Sequence, residues 1–178
     1  LAHWGVHTPL QASKEDYDAL SNIPDHRRRV YSAMVRSVDR SVGRVLQTLR
    51  EEGLEENTIV IFTSDNGAPG YIGLPEVNQP YRGWKLTFFE GGLRVPGIIE
   101  WPAAIAPRVT SHPACVMDLF PTVADIVGLP ASALVQPLDG HSLRPLFARE
   151  LAERRRPIGF RYQAQRALTD DRYKILTT

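Results

Sequence analysis

The chain has a single cysteine, only three lysines against eighteen arginines, and almost no net charge. One cysteine excludes an internal disulfide and any multi-cysteine zinc site, and Cys115, set among Pro113, Ala114, Val116 and Met117, is expected in the core. Twenty-one basic residues against twenty acidic ones leave a net charge of +1. That balance provides no field to gather nucleic acid or an anionic membrane, so any anion has to be held by local groups. The triplets Arg27-Arg28-Arg29 and Arg154-Arg155-Arg156 are read as solvated element edges. No run of about 18 apolar residues is present and no basic-then-apolar leader opens the chain, so neither a membrane span nor a signal peptide is expected. Repeats and low-complexity tracts are also missing.

What remains is an ordinary globular composition, 43% hydrophobic and 23% charged, long enough for a real core. Between Arg29 and Glu52 the positions Val30, Met34, Val38, Val42, Val45 and Leu49 recur every three or four residues, which predicts an amphipathic helix capped by Gly53. Thr58 to Thr63 is a β-branched and aromatic run that reads as a strand buried on both faces. Helix, short loop and buried strand together predict an α/β fold. A second strand is expected over Val95–Trp101, starting in effect at Gly97 because of Pro96. A helix with Asp118 as its N-cap follows, ended by Gly128 and Pro130. Beyond Asp139-Gly140 the texture turns polar. Strands at Ile158–Tyr162, Arg166–Thr169 and Tyr173–Leu176 are expected there, with a hairpin at Asp170-Asp171.

Asp65 and Asn66 follow the first strand directly, where ligands bind in open α/β sheets. Their side chains offer only oxygen, which suits a hard cation such as calcium or magnesium. By themselves they equally describe a plain Asp-Asn-Gly turn. By default Lys85 is a surface lysine and His7 a loop histidine, with His3 as its nearby competitor.

Other segments bear on that choice. The stretch Asn57 to Gly67 resembles the sulfatase segment that supplies an Asp-Asn pair to the catalytic calcium. Tyr81-Arg82-Gly83-Trp84-Lys85 through Phe89-Glu90-Gly91-Gly92-Leu93-Arg94-Val95-Pro96 is similar to that family's second signature, whose lysine contacts sulfate. Val6-His7-Thr8-Pro9 resembles its His-x-Pro segment, whose histidine lies near the leaving oxygen. Further likeness runs through Asp118–Thr122, Pro137–Gly140 and Tyr173–Leu176, most closely in the manner of arylsulfatase B and other N-acetylgalactosamine-type sulfatases.

The resemblance implies an alkaline phosphatase-like mixed sheet with flanking helices, its C-terminal part spanning 1–140, and the start of a small antiparallel subdomain over 141–178. It implies sulfate ester hydrolysis, with Asp65 and Asn66 as calcium ligands (magnesium being the lesser choice) and with Lys85 and His7 as catalytic and substrate-binding residues. Glu90 and Arg94 are expected to hold the loop that presents Lys85. The family's nucleophile, a formylglycine made within a C/S-x-P/A-x-R motif, has no counterpart here, because Cys115 is followed by Val116-Met117-Asp118. The expected partners are therefore a sulfate ester and the remaining N-terminal part of a sulfatase, without which the chain is expected to be inactive. Family habit places such enzymes in the periplasm, outside the cell or in lysosomes. Two alternatives stand beside this: a phosphoesterase or phosphonate hydrolase of the same superfamily, disfavoured by Asn66 where those relatives tend to carry His, and a non-catalytic sulfatase remnant.

Overall fold

A computed structural model describes residues 1–177. The chain forms two compact units, the first from residues 1–60 and 66–94, the second from residues 61–65 and 95 onward. The secondary structure is mixed α/β, as expected, with short strands and a few helices. Among the described residues no helix is long and apolar enough to cross a membrane.

The first unit is built on two helices, α1 (Lys14–Asp18) and α2 (His26–Glu51). Asp25 caps α2, its carboxylate accepting the Arg28 N–H at 2.7 Å and satisfying one of the donors left open at a helix start. At the other end Gly53 adopts φ +67°. Its N–H donates to Arg50 O and that of Leu54 to Leu49 O, the left-handed termination expected of a glycine there. The apolar stripe of α2 buries Ala33 and Met34 fully and Val30, Val38, Val42, Val45 and Leu49 partly.

Asp16, 1% exposed, holds α1 to α2. Its oxygens accept from Arg40 Nη1 and Nη2 at 2.6 and 2.9 Å and from Arg36 Nε at 3.2 Å. This carboxyl sits at about 2, lowered first by its hydrogen bonds to Arg40 and then by Ser13. In the first arginine triplet Arg27 and Arg28 are exposed, as expected, and Arg29 is half-buried. Arg28 pairs with Glu76 at 2.7 Å, and Arg29 donates to Tyr17 O while its guanidinium lies 3.9 Å from the Tyr17 ring centroid.

In the second unit β1 (Val60–Thr63) pairs with β2 (Gly97–Glu100) in a two-stranded sheet. The expectation that the first strand is buried on both faces does not hold within this chain. Its residues are half-buried, with Thr63 exposed, because a sheet of two short strands covers little of either. Between the strands in sequence, the first unit's single turn α3 (Glu90–Leu93) closes the loop that follows Asn66. The helix α4 (Leu119–Ile126) ends at Gly128, φ +74°. At the C-terminus β3 (Ile158–Tyr162), β4 (Gln165–Thr169) and β5 (Lys174–Leu176) form an antiparallel sheet in that order. Ile158 faces Thr169 and Ala167 faces Leu176. Asp170 makes the second turn without glycine, its Oδ1 accepting the N–H groups of Arg172 and Tyr173.

Asp118 stands at the N-cap position of α4, as expected, but its carboxylate is turned elsewhere. Its side chain makes no cap on α4. It is wholly buried and accepts from Arg154 Nη1 and Nη2 at 2.7 and 2.9 Å, from Cys115 N–H at 2.8 Å and from His141 N–H at 3.0 Å. Burial pushes this carboxyl up, but Arg154 and the two N–H groups outweigh it and hold it below the ordinary value. Arg154 is thus a core residue rather than a solvated edge, and its own backbone N–H donates to Asp171. One ion pair therefore joins the start of α4, the loop at His141 and the turn before β5. Gly140 allows that loop to close, since a Cβ there would lie 2.0 Å from Met117 O. Cys115 is partly exposed rather than core.

Candidate active site

His7 ends a tight turn in which its N–H donates to Trp4 O at 3.0 Å. Its Nδ1 lies 2.8 Å from Thr8 O. A carbonyl only accepts, so Nδ1 carries the proton and Nε2 of the neutral ring is the acceptor. Facing that nitrogen is Lys85 Nζ at 3.5 Å. Residues 78 positions apart thus meet through their functional atoms, and of the two candidate histidines it is His7 that reaches Lys85.

Lys85 is held by its backbone. Its N–H donates to Ala68 O at 3.1 Å, two residues beyond Asn66. The next residue, Leu86, has φ +78°, a region costly for a branched side chain. Thr87 stabilises the bend, its hydroxyl donating to Trp84 O at 2.7 Å and accepting the Trp84 N–H at 3.1 Å. Behind it, α3 packs against the Asn66-Gly67 corner backbone to backbone. Gly67 N–H donates to Gly92 O at 3.0 Å and Gly91 N–H to Arg82 O at 2.7 Å. A Cβ on Gly67 would fall 1.8 Å from Gly91 O, and one on Gly91 would fall 2.2 Å from Gly83 O. Neither position admits a side chain without displacing main chain. Arg94 and Arg82 brace the same loop, with guanidinium carbons 5.0 Å from the Tyr81 ring centroid and 4.0 Å from that of Phe89.

Asn66 is half-buried and its Nδ2 donates to Gly67 O at 3.0 Å, whereas Asp65 is exposed. Asp65 belongs to the second compact unit; Asn66, Lys85 and His7 belong to the first. The donor set fits a hard cation in kind, one carboxylate and one amide oxygen following a strand end. In number it falls short of the six to eight oxygens calcium takes. Among the described residues no group of three or more His, Cys, Asp or Glu side chains could complete a metal centre.

Asn78 was not among the residues singled out from sequence. Its Oδ1 accepts the Ala68 N–H at 2.9 Å, and its Nδ2 donates to Ala68 O at 2.8 Å and Gly83 O at 3.2 Å. Its position in the irregular passage after Gly67 was the only available signal.

The chain as a whole is similar to known proteins. Residues 1–129 match the family model described as Sulfatase. Over 139 residues the chain is 41% identical to a sulfatase of Formosa agariphila, covering 71% of this chain and 24% of that protein. Over 162 residues it is 38% identical to rat N-acetylgalactosamine-6-sulfatase, covering 82% of this chain and 30% of that one. Among solved structures, Ps i-CgsB in complex with k-i-k-neocarrahexaose superposes with a TM-score of 0.75 at 31% identity, over 97% of this chain and 41% of that one. The chain belongs to the sulfatase family. It spans about a quarter to a third of the length of these curated relatives.

Proposed function

We propose that the chain contributes the charge-stabilising part of the active site of an arylsulfatase-like sulfuric ester hydrolase. The observation that carries this reading is the approach of Lys85 Nζ to His7 Nε2 at 3.5 Å, in a chain of this family. Cleaving a sulfate ester moves negative charge onto the leaving oxygen, and fixed positive groups aimed at that oxygen lower the barrier. Lys85 supplies such a charge on a braced loop. His7, with Nδ1–H held on Thr8 O, has Nε2 left for proton traffic, and once that nitrogen has taken up a proton the imidazolium can pass it to the leaving oxygen and return to the neutral ring. Asp65 and Asn66 would be two of the ligands of a calcium ion, which when bound supplies positive charge to the sulfate oxygens. The formylglycine nucleophile and the other ligands would come from residues outside these 178.

The substrate class best supported is a sulfated sugar, given relatives named N-acetylgalactosamine-6-sulfatase and a neighbour solved with neocarrahexaose. Relatives named steryl-sulfatase at 42% identity make a sulfated sterol the comparison to run. The test is turnover of an aryl sulfate, an aryl phosphate, a sulfated sugar and a sulfated sterol by the full-length protein, with and without Lys85→Ala. The expected result is preference for sulfate over phosphate and for the sugar over the sterol, with a loss on the order of 100-fold or more on Lys85→Ala. Undiminished turnover in the variant would remove Lys85 from the mechanism, and a preference for phosphate would replace the sulfatase reading with a phosphoesterase.

A further inference from the structure

We infer that Asn78 is a positioning residue that sets the placement of Lys85 relative to Asn66; as a statement about catalysis this rests on the sulfatase reading above. The carboxamide makes three bonds, all to main chain, two at Ala68 and one at Gly83. Ala68 lies two residues after Asn66, and Gly83 two residues before Lys85. Ala68 O is also the acceptor of the Lys85 N–H, so one carbonyl receives both the clamp and the residue it places. Asn78 is itself held in successive turns, where Val77 N–H donates to Leu74 O, Gln79 N–H to Glu76 O and Tyr81 N–H to Asn78 O.

The chemistry of the position is narrow. It needs an acceptor for the Ala68 N–H and donors for two carbonyls from one short side chain, which among the amino acids describes asparagine. Alanine removes all three bonds. Aspartate keeps the size and the acceptor but turns its other oxygen toward two carbonyls. Protonating that aspartate returns one donor, so its defect is pH-dependent in a way that lost packing volume would not be.

The experiment uses the full-length protein with Asn78→Ala and Asn78→Asp. Two readouts are taken: amide hydrogen exchange at Lys85 and Gly67, and kcat and KM for an aryl sulfate against pH, normalised to the folded fraction. The expected result for Asn78→Ala is faster exchange at Lys85 with Gly67 still protected by Gly92 O, and a fall in kcat/KM of about 10–100-fold, the scale of an ångström of misplacement. Asn78→Asp should show a defect that narrows as the pH is lowered. Unchanged protection of Lys85, or a kcat/KM that falls only with the folded fraction, or an Asn78→Asp defect flat with pH, would overturn the inference. Should the wild-type protein hydrolyse no sulfate ester at all, the sulfatase reading fails, while exchange at Lys85 still decides whether Asn78 places it.

Discussion

Replacing Asp118 by alanine puts the second unit's polar centre to a direct test. In the wild type this carboxylate is wholly buried and satisfies Arg154, Cys115 N–H and His141 N–H together. Alanine leaves the Arg154 guanidinium buried without its counter-ion, a loss of about 3–5 kcal/mol, and strands two N–H groups at about 1–3 kcal/mol each. The sum is about 5–11 kcal/mol, comparable with the roughly 5–15 kcal/mol of a whole domain. Asp118→Ala should therefore unfold the second unit rather than shift its midpoint slightly. Arg154→Met should cost less, because the carboxylate it leaves still accepts two N–H bonds and can take up a proton. The assay is amide hydrogen exchange at His141 and Leu143, which donate to Asp118 Oδ1 and Thr122 Oγ1, beside urea unfolding of both variants. An Asp118→Ala protein that keeps protection at these amides and loses less than about 2 kcal/mol would refute the claim that this ion pair organises the unit.

Two further predictions concern pH. Burial, followed by the charge of Arg154, pushes His141 below its ordinary value of 6.5, so the unfolded chain takes up a proton that the folded one resists. Stability tied to this group is present above pH 6.5 and is lost as the pH falls through the lower folded value. His141→Gln should flatten the fall in thermal midpoint on acidification from pH 7.5 to 5, and an unchanged slope would show that His141 is not the group titrating. Asp16 is held at about 2 by its hydrogen bonds to Arg40, so the α1–α2 junction should persist below pH 3.8 and weaken as the pH approaches 2. Arg40→Gln should move that loss upward on an acid titration followed by circular dichroism; an unmoved transition would argue against the pairing.

The parts of the fold that could be read beforehand are those specified by local rules. The spacing of Val30, Met34 and Val38, the glycine at 53 and the β-branched run from 58 each express a periodicity or a backbone preference within a few residues. The C-terminal hairpin was legible for the same reason, although its turn works through the Asp170 carboxylate rather than a glycine. Asp16–Arg40, Asp118–Arg154 and the Asn78 clamp were not legible. Their partners lie 24, 36 and 10 residues apart, and no local pattern marks which of eighteen arginines becomes a core residue. Asp118 reads as a helix start and occupies one, but its carboxylate is taken by a distant arginine rather than by the helix. At the candidate site, motif order selected His7 and Lys85, and the fold brings their nitrogens within 3.5 Å. The tautomer of His7 and the bracing of Lys85 depend on contacts that only the folded chain shows.

The contact of Gly67 on Gly91 has a consequence for how such a protein can diversify. The corner carrying Asn66 is joined to α3 by a main-chain bond at Gly67 and to the Lys85 loop through the Asn78 carboxamide, so the contacts that fix it lie beneath the exposed side chains of the unit. Tyr71, Trp84 and Leu86 are 63%, 53% and 54% exposed on the same unit, and exchanging them would alter what the surface greets without shifting the backbone underneath. A lineage could thus explore new molecules at its rim while the machinery beneath stays constant, so long as Gly67, Gly91 and Asn78 are kept.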